Sequence, residues 1–172
     1  MSKRNNRKVK LATLIVVGEG PHDRAFLNHM KSLYDSRETG QKVTINSADG
    51  GSPGDIIDTV IRKNRHTNFD KRYILLDSDV PIIQQDRDKA RRNKIELVES
   101  TPHCLEGMLL DILGEPVPAN SNACKAAMHP KLAGEPTDPK AYSVLFTQQV
   151  LNETDKEQIV TLRHAISNTV PS

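Results

Sequence analysis

The sequence predicts an α/β fold in three layers: a mainly parallel, four-stranded central sheet with helices on both faces. Two observations carry this. Short apolar, β-branched runs alternate along the chain with segments whose apolar residues recur at helical spacing. The runs are also apolar at consecutive positions, which fits strands covered on both faces. The first, Leu14-Ile15-Val16-Val17, ends in Gly18-Glu19-Gly20-Pro21-His22-Asp23, and a helical pattern begins at once.

The first strand spans 10–17, where Val and Ile suit the pleat because a branched side chain fits it. Gly18 and Gly20 let the backbone turn on either side of Glu19. Pro21 suits a first helical position, and Asp23 a first turn, where negative charge is favourable. Phe26, Leu27, Met30, Leu33 and Tyr34 then mark an amphipathic helix. Residues 35–40 form a loop and 43–45 a short second strand. Ser52-Pro53-Gly54-Asp55 is a helix N-terminus signature, and Ile56, Ile57, Val60 and Ile61 supply the apolar stripe behind it. The third strand, 72–76, runs into Asp77-Ser78-Asp79. A mostly polar helix covers 82–92, followed by a half-exposed strand over 94–99 with Ile95 and Leu97 on one side. Ser100-Thr101-Pro102 caps a helix whose apolar positions are Leu105, Met108, Leu109 and Ile112.

That order defines a core over 10–113 with right-handed crossovers. Residues 114–154 read as an irregular arm: five of the chain's ten prolines fall between 116 and 139, with at most one short helix around 123–128. A loop of such length points to a functional role, as a lid or substrate-facing arm. Residues 155–172 close the chain as a helix with Ile159, Leu162 and Ile166 in register, packing back on the sheet. Residues 1–9 are a basic tail.

With 172 residues, 36% of them hydrophobic, the chain is long enough for one domain with a real core. Its mean hydropathy of −0.54 describes a polar surface. No apolar run approaches the ~20 residues of a membrane helix. Lys3, Arg4, Arg7, Lys8 and Lys10 precede the first strand without a secretory cleavage pattern, so a cytoplasmic location is expected. Cys104 and Cys124 make no disulfide framework, which agrees. The net charge of +2 is unevenly spread. Arg62 and Arg65 belong to one basic cluster, and Arg91 and Arg92 to another between Arg87 and Lys94. Such clusters could meet nucleic-acid phosphates; solvated helix faces are the plain alternative.

Chemistry concentrates at strand ends. Glu19 follows the first strand, and Asp77 with Asp79 follows the third. Residues i and i+2 of an extended segment point the same way, so both aspartates can face one site. Open α/β sheets bind ligands at the carboxyl ends of their strands. Three carboxylates there repel one another unless a cation neutralises them, and hard oxygen ligands without cysteine suit Mg²⁺ or Mn²⁺. Acids at strand ends also cap helices and turn the chain, which is the alternative for each. Gly50-Gly51-Ser52 lacks the Gly-Lys-Ser/Thr ending of a P-loop, so nucleotide triphosphatase activity has no support. His103, Cys104, Cys124 and His129 could ligate zinc, but their spacing matches no common pattern and no zinc is expected. His22 reads as an exposed helix-start residue.

Val17-Gly18-Glu19-Gly20-Pro21-His22-Asp23 and Leu76-Asp77-Ser78-Asp79 resemble the two signature motifs of the TOPRIM domain. In that family a Glu ends the first strand within an E-G element, and a D-x-D ends the third. Members include primases, topoisomerases, OLD-family nucleases, recombination-repair proteins and small RNA maturases. The resemblance covers 10–113 and implies the TOPRIM form of a Rossmann-like fold. A second segment, Ser100-Thr101-Pro102-His103-Cys104-Leu105-Glu106-Gly107-Met108-Leu109-Leu110, is similar to the S-N-P-x-F-E-x-W-L-L segment of RloB-like proteins, a TOPRIM-related group associated with restriction and phage-defence loci. Here Leu105 stands where that group usually has Phe, and Gly107-Met108 where it has an aliphatic residue and Trp. The resemblance implies Glu19 as general acid/base or metal-proximal carboxylate, Asp77 and Asp79 as Mg²⁺ ligands, and Glu106 as a further acidic member. Asp23 matches a commonly acidic position, with a first-turn cap as its plainer reading.

The expected function is Mg²⁺-dependent phosphodiester hydrolysis on DNA or RNA, with Arg62, Arg65, Arg91 and Arg92 holding the backbone. Primase-like nucleotidyl transfer ranks lower, because 172 residues leave little room for a template-binding domain. A topoisomerase ranks lower still, since none of Tyr34, Tyr73 or Tyr142 lies in an accessory module. The non-catalytic alternative is an effector that binds nucleic acid or a companion protein, such as an ATPase, through its acidic edge. Oligomeric state stays open.

Overall fold

Strands and helices alternate through residues 11–171, the part of the chain that the computed structural model describes. The repeating part is β1 (Ala12–Gly18), α1 (Pro21–Tyr34), β2 (Gln41–Ser47), α2 (Pro53–His66), β3 (Lys71–Asp77), α3 (Gln84–Arg92), β4 (Ile95–Ser100) and α4 (Leu105–Ile112). Three helices follow: α5 (Ser121–Met128), α6 (Gln148–Glu153) and α7 (Glu157–Ser167). The strands form one sheet in the order β2-β1-β3-β4, every pair parallel. The fold is therefore α/β with an all-parallel four-stranded sheet between helices, as the sequence predicts. The basic tail, 1–9, lies outside the described residues. Among the described residues, no helix is long and apolar enough to cross a membrane.

The strand pleat explains why β1 is apolar at every position. Leu14 and Val16 enter a core shared with α1, α4, α5, α6 and α7, whereas Ile15 and Val17 enter a second core shared with α2 and α3. Successive side chains point to opposite faces, so a strand buried on both sides has no polar positions to spare. β4, at the sheet edge, is covered only in part: Val98 packs in the first core and Ile95, with half-buried Leu97, in the second, while Glu96 is exposed and Glu99 half-buried. The half-exposed strand expected over 94–99 is what the structure shows, with α7 and α3 both in contact with it.

Helix starts follow their local signals. Ser52 Oγ accepts from Asp55 N at 3.2 Å while Asp55 Oδ2 accepts from Ser52 N at 3.1 Å, a complete capping box at α2. Asp23 Oδ2 likewise accepts from Gly20 N at 3.0 Å at the start of α1. Ser100 is a correction. It ends β4 rather than capping α4, and its hydroxyl is buried without a hydrogen-bond partner. The donor it was expected to satisfy is met elsewhere: Asp77 Oδ1 accepts from Leu105 N at 3.3 Å.

The chain bends at Glu19 and Gly20 as expected, although neither flanking glycine takes a left-handed conformation, and Gly20 is extended at φ −144°. Gly18 is required for a different reason: a Cβ there would lie 2.6 Å from Asp23 Cβ and 3.1 Å from Arg24 N. Its bareness lets the first turn of α1 close down on the end of β1.

The segment over 114–154 is less irregular than expected. It contains the foreseen short helix, α5, and one that was not foreseen, α6. Tyr142 and Phe146 are fully buried and meet Phe26 edge-on, with ring centroids 5.7 and 6.0 Å apart. His29 Nε2 lies 2.6 Å from the Phe146 carbonyl oxygen, within hydrogen-bond reach. This aromatic cluster makes the arm part of the core around α1. Helix α7 packs as foreseen, and the Gln41 side-chain amide ties it to β2 by donating to Ala165 O at 2.9 Å.

Candidate metal centre

The chain passes from β1 out to β2 and then crosses back over β1 to β3. Between β1 and β3 the strand order therefore reverses, and the crevice at their carboxyl ends is where such folds take ligands. Glu19 follows β1 and Asp77 ends β3, one on each side of that crevice. The backbone locks them together. Glu19 N donates to Leu75 O at 3.1 Å, and Glu19 Oε2 accepts from Asp77 N at 2.9 Å.

Helices α1 and α4 bring two more acids to the same place. Asp23, in the first turn of α1, is only 6% exposed, and Glu106, in the first turn of α4, only 3%. Glu19, Asp23, Asp77 and Glu106 line one cleft of about 410 Å³, together with His22, Asp49 and Lys125. Such crowding shows in the titration of the acids. Burial, then the charges of Glu19, Asp79 and Glu106, push the Asp77 carboxyl up to about 7, against the hydrogen bond from Leu105 N–H. Burial raises Glu19 and the charge of Asp79 adds to it, while Asp77 N–H and Lys125 oppose the shift. Asp23 is raised well above the usual carboxylate range, mainly by burial and then by Asp77. Its Oδ1 is buried with no hydrogen-bond partner.

Of the acids expected at the site, the structure thus gathers Glu19, Asp77 and Glu106 in one cleft. Asp79 is placed differently. β3 ends at Asp77, so the extended alternation that would have aimed both aspartates one way stops before Asp79. Ser78 N and Asp79 N both donate to His103 O, and Asp79 Oδ2 instead accepts from Ser121 Oγ at 2.5 Å. Asp79 is exposed and does not line the cleft, but its charge reaches Glu19 and Asp77.

The expected phosphate contacts are not brought to this edge. Arg62 and Arg65 lie near the C-terminus of α2, and Arg91 and Arg92 end α3. Helices of a parallel α/β sheet run back against the strands, so these ends sit at the opposite edge from Glu19 and Asp77. Arg62 donates to Thr59 Oγ1 at 3.2 Å, and Arg91 pairs with Asp88. The cation that does line the cleft is Lys125, from α5.

Sequence reasoning missed the partners of Glu106. Its Oε1 lies 2.9 Å from His129 Nε2 and 3.3 Å from His22 Nδ1, and the two imidazoles meet edge to face. These three side chains come from α4, the end of α5 and the start of α1. His103, Cys104 and Cys124 do not join them. Both cysteines are free and buried, and burial pushes the Cys104 thiol up to about 12.

No family model, curated protein or solved structure matches this chain.

Proposed function

We propose that this chain is a divalent-cation-dependent phosphodiesterase acting on DNA or RNA. One observation carries the reading: acids from the ends of β1 and β3 meet those from the first turns of α1 and α4 in one cleft at the topological switch point, where burial and then their charges push Asp77 up to about 7. The donor set fits a hard cation. It offers carboxylate oxygens, a buried Asp23 Oδ1 has no donor, and the surplus of negative charge is what a divalent ion removes. Asp77 and Glu19 would hold Mg²⁺ or Mn²⁺, with the charge of Asp79 reaching them from outside the cleft. When bound, such an ion stabilises charge on a phosphoryl oxygen.

The chain's own residues then divide the work. Glu19 keeps Oε2 on Asp77 N–H, so its position is fixed by backbone, and Oε1 remains as the acceptor for a proton. Its raised pKa suits general acid–base exchange. Lys125 supplies positive charge in the cleft for a substrate phosphate, and exposed Arg24 on α1 extends that charge along the neighbouring groove with Ser47. An acid after the first strand and another ending the third is also what the TOPRIM resemblance implies, which supports reading the chain as a relative of that domain.

The test is cleavage of supercoiled plasmid, linear duplex, single-stranded DNA and RNA by the purified chain with Mg²⁺, Mn²⁺ or EDTA. Cleavage that needs the metal and falls by about 10²–10³ in Asp77→Asn, with unchanged circular dichroism, is expected. Equal cleavage by the variant would overturn the proposal. So would failure of the folded natural chain to cut any of the four substrates with either metal.

A further inference from the structure

We propose that His22, Glu106 and His129 form a second metal site, for a borderline transition cation of the zinc class, opening on the same cleft. Both imidazoles address one oxygen: Glu106 Oε1 is 3.3 Å from His22 Nδ1 and 2.9 Å from His129 Nε2. All three ligand atoms lie within 4.8 Å of one another. Around a cation with bonds of about 2.0–2.2 Å, neighbouring ligand atoms stand about 3 Å apart at right angles and about 3.4 Å apart in a tetrahedron. The two oxygen–nitrogen separations fall on those edges. The two rings converge on that oxygen edge to face, with centroids 4.7 Å apart.

Burial makes the arrangement demanding. Glu106 is 3% exposed, and a buried carboxylate is costly without compensating charge. Asp23, in the wall of the same cleft and 6% exposed, has Oδ1 buried with no partner. Among the described residues no lysine or arginine pairs with Glu106, which leaves room there for positive charge from outside the chain.

Ligand chemistry separates this site from the Asp77 edge. Imidazole nitrogens suit zinc and its neighbours in the transition series, whereas Mg²⁺ takes oxygen ligands. Two histidines and one glutamate also leave a coordination position open, the mark of a site that takes an exogenous ligand rather than a purely structural one. This inference does not depend on the phosphodiesterase reading, because it concerns binding and not cleavage.

The experiment uses the full chain, stripped with a chelator and dialysed. It is titrated with Co²⁺, read by visible d–d absorption, then with Zn²⁺ by displacement and calorimetry. One equivalent is expected to bind, with excess Mg²⁺ failing to displace it. His22→Ala and His129→Ala should each weaken binding by more than about 100-fold, beyond the loss usual for an outer-sphere partner. His129→Gln is the decisive variant, since its amide can still donate to Glu106 but ligates poorly. Asp77→Asn should leave the equivalent in place. Binding that survives His129→Gln undiminished, displacement by Mg²⁺, or no stoichiometric Co²⁺ uptake by the folded natural chain would each overturn the proposal.

Discussion

Replacing Asp77 by Asn should stabilise the metal-free protein at pH 8. In an unfolded chain this carboxyl titrates near 3.9. In the folded protein, burial and the neighbouring charges push it up to about 7. The folded state thus holds the proton more tightly than the unfolded state. The stability this gives is fully present below about pH 4 and is lost as the pH rises from about 4 to about 7. At about 1.4 kcal/mol per pH unit the whole window is worth about 4 kcal/mol, and partial contact with solvent lowers that to about 2–4 kcal/mol. Asn keeps an Oδ1 for the Leu105 N–H, 3.3 Å away, and removes only the charge. Glu19 and Asp23 drift in the same direction and remain in the variant; removing the Asp77 charge also relieves Asp23, so the measured gain includes that relief. Urea unfolding in EDTA, followed by circular dichroism at pH 5 and pH 8, measures the difference. Saturating Mg²⁺ should raise the natural chain at pH 8 and change the variant little. A variant no more stable than the natural chain at pH 8, or a gap of equal size at pH 5, would refute the electrostatic account.

Two further predictions concern the scaffold that holds the site. Phe146→Ala should cost about 3–5 kcal/mol in urea unfolding, because Phe146 is fully buried against Phe26 and Tyr142; a loss within about 0.5 kcal/mol would mean that the arm is surface and not core. Gly107→Ala should cost about 3 kcal/mol or more, since a Cβ there would lie 2.0 Å from the Pro102 carbonyl oxygen, which is backbone and cannot swing aside. Unchanged stability in that variant would show that α4 can shift without disturbing Glu106.

That close approach also requires glycine at 107, because the Pro102 carbonyl leaves no space for a side chain there. Only the folded chain brings the two residues into contact.

The sequence by itself determined the architecture and half of the site. Consecutive apolar residues in β1 and β3 required cover on both faces, and helical periodicity between them left a parallel sheet as the simple solution. Glu19 and Asp77 could be placed from the chain alone, because a strand end is a local feature and the parallel topology puts both ends on one edge. What local pattern could not carry was contact across distance. The arm over 114–154 buries Tyr142 and Phe146, four positions apart, from short turns and not from a sustained helical pattern, so its packing was not legible in the chain. His129 reaches Glu106 from 23 positions on, and His22 from the far end of the core, with no spacing rule to connect them. Asp79, two residues from Asp77, was read as its twin, but the strand stopped one residue too soon. Periodicity records which face a residue buries. Which distant side chains share an oxygen atom is decided only when the helices close on the sheet.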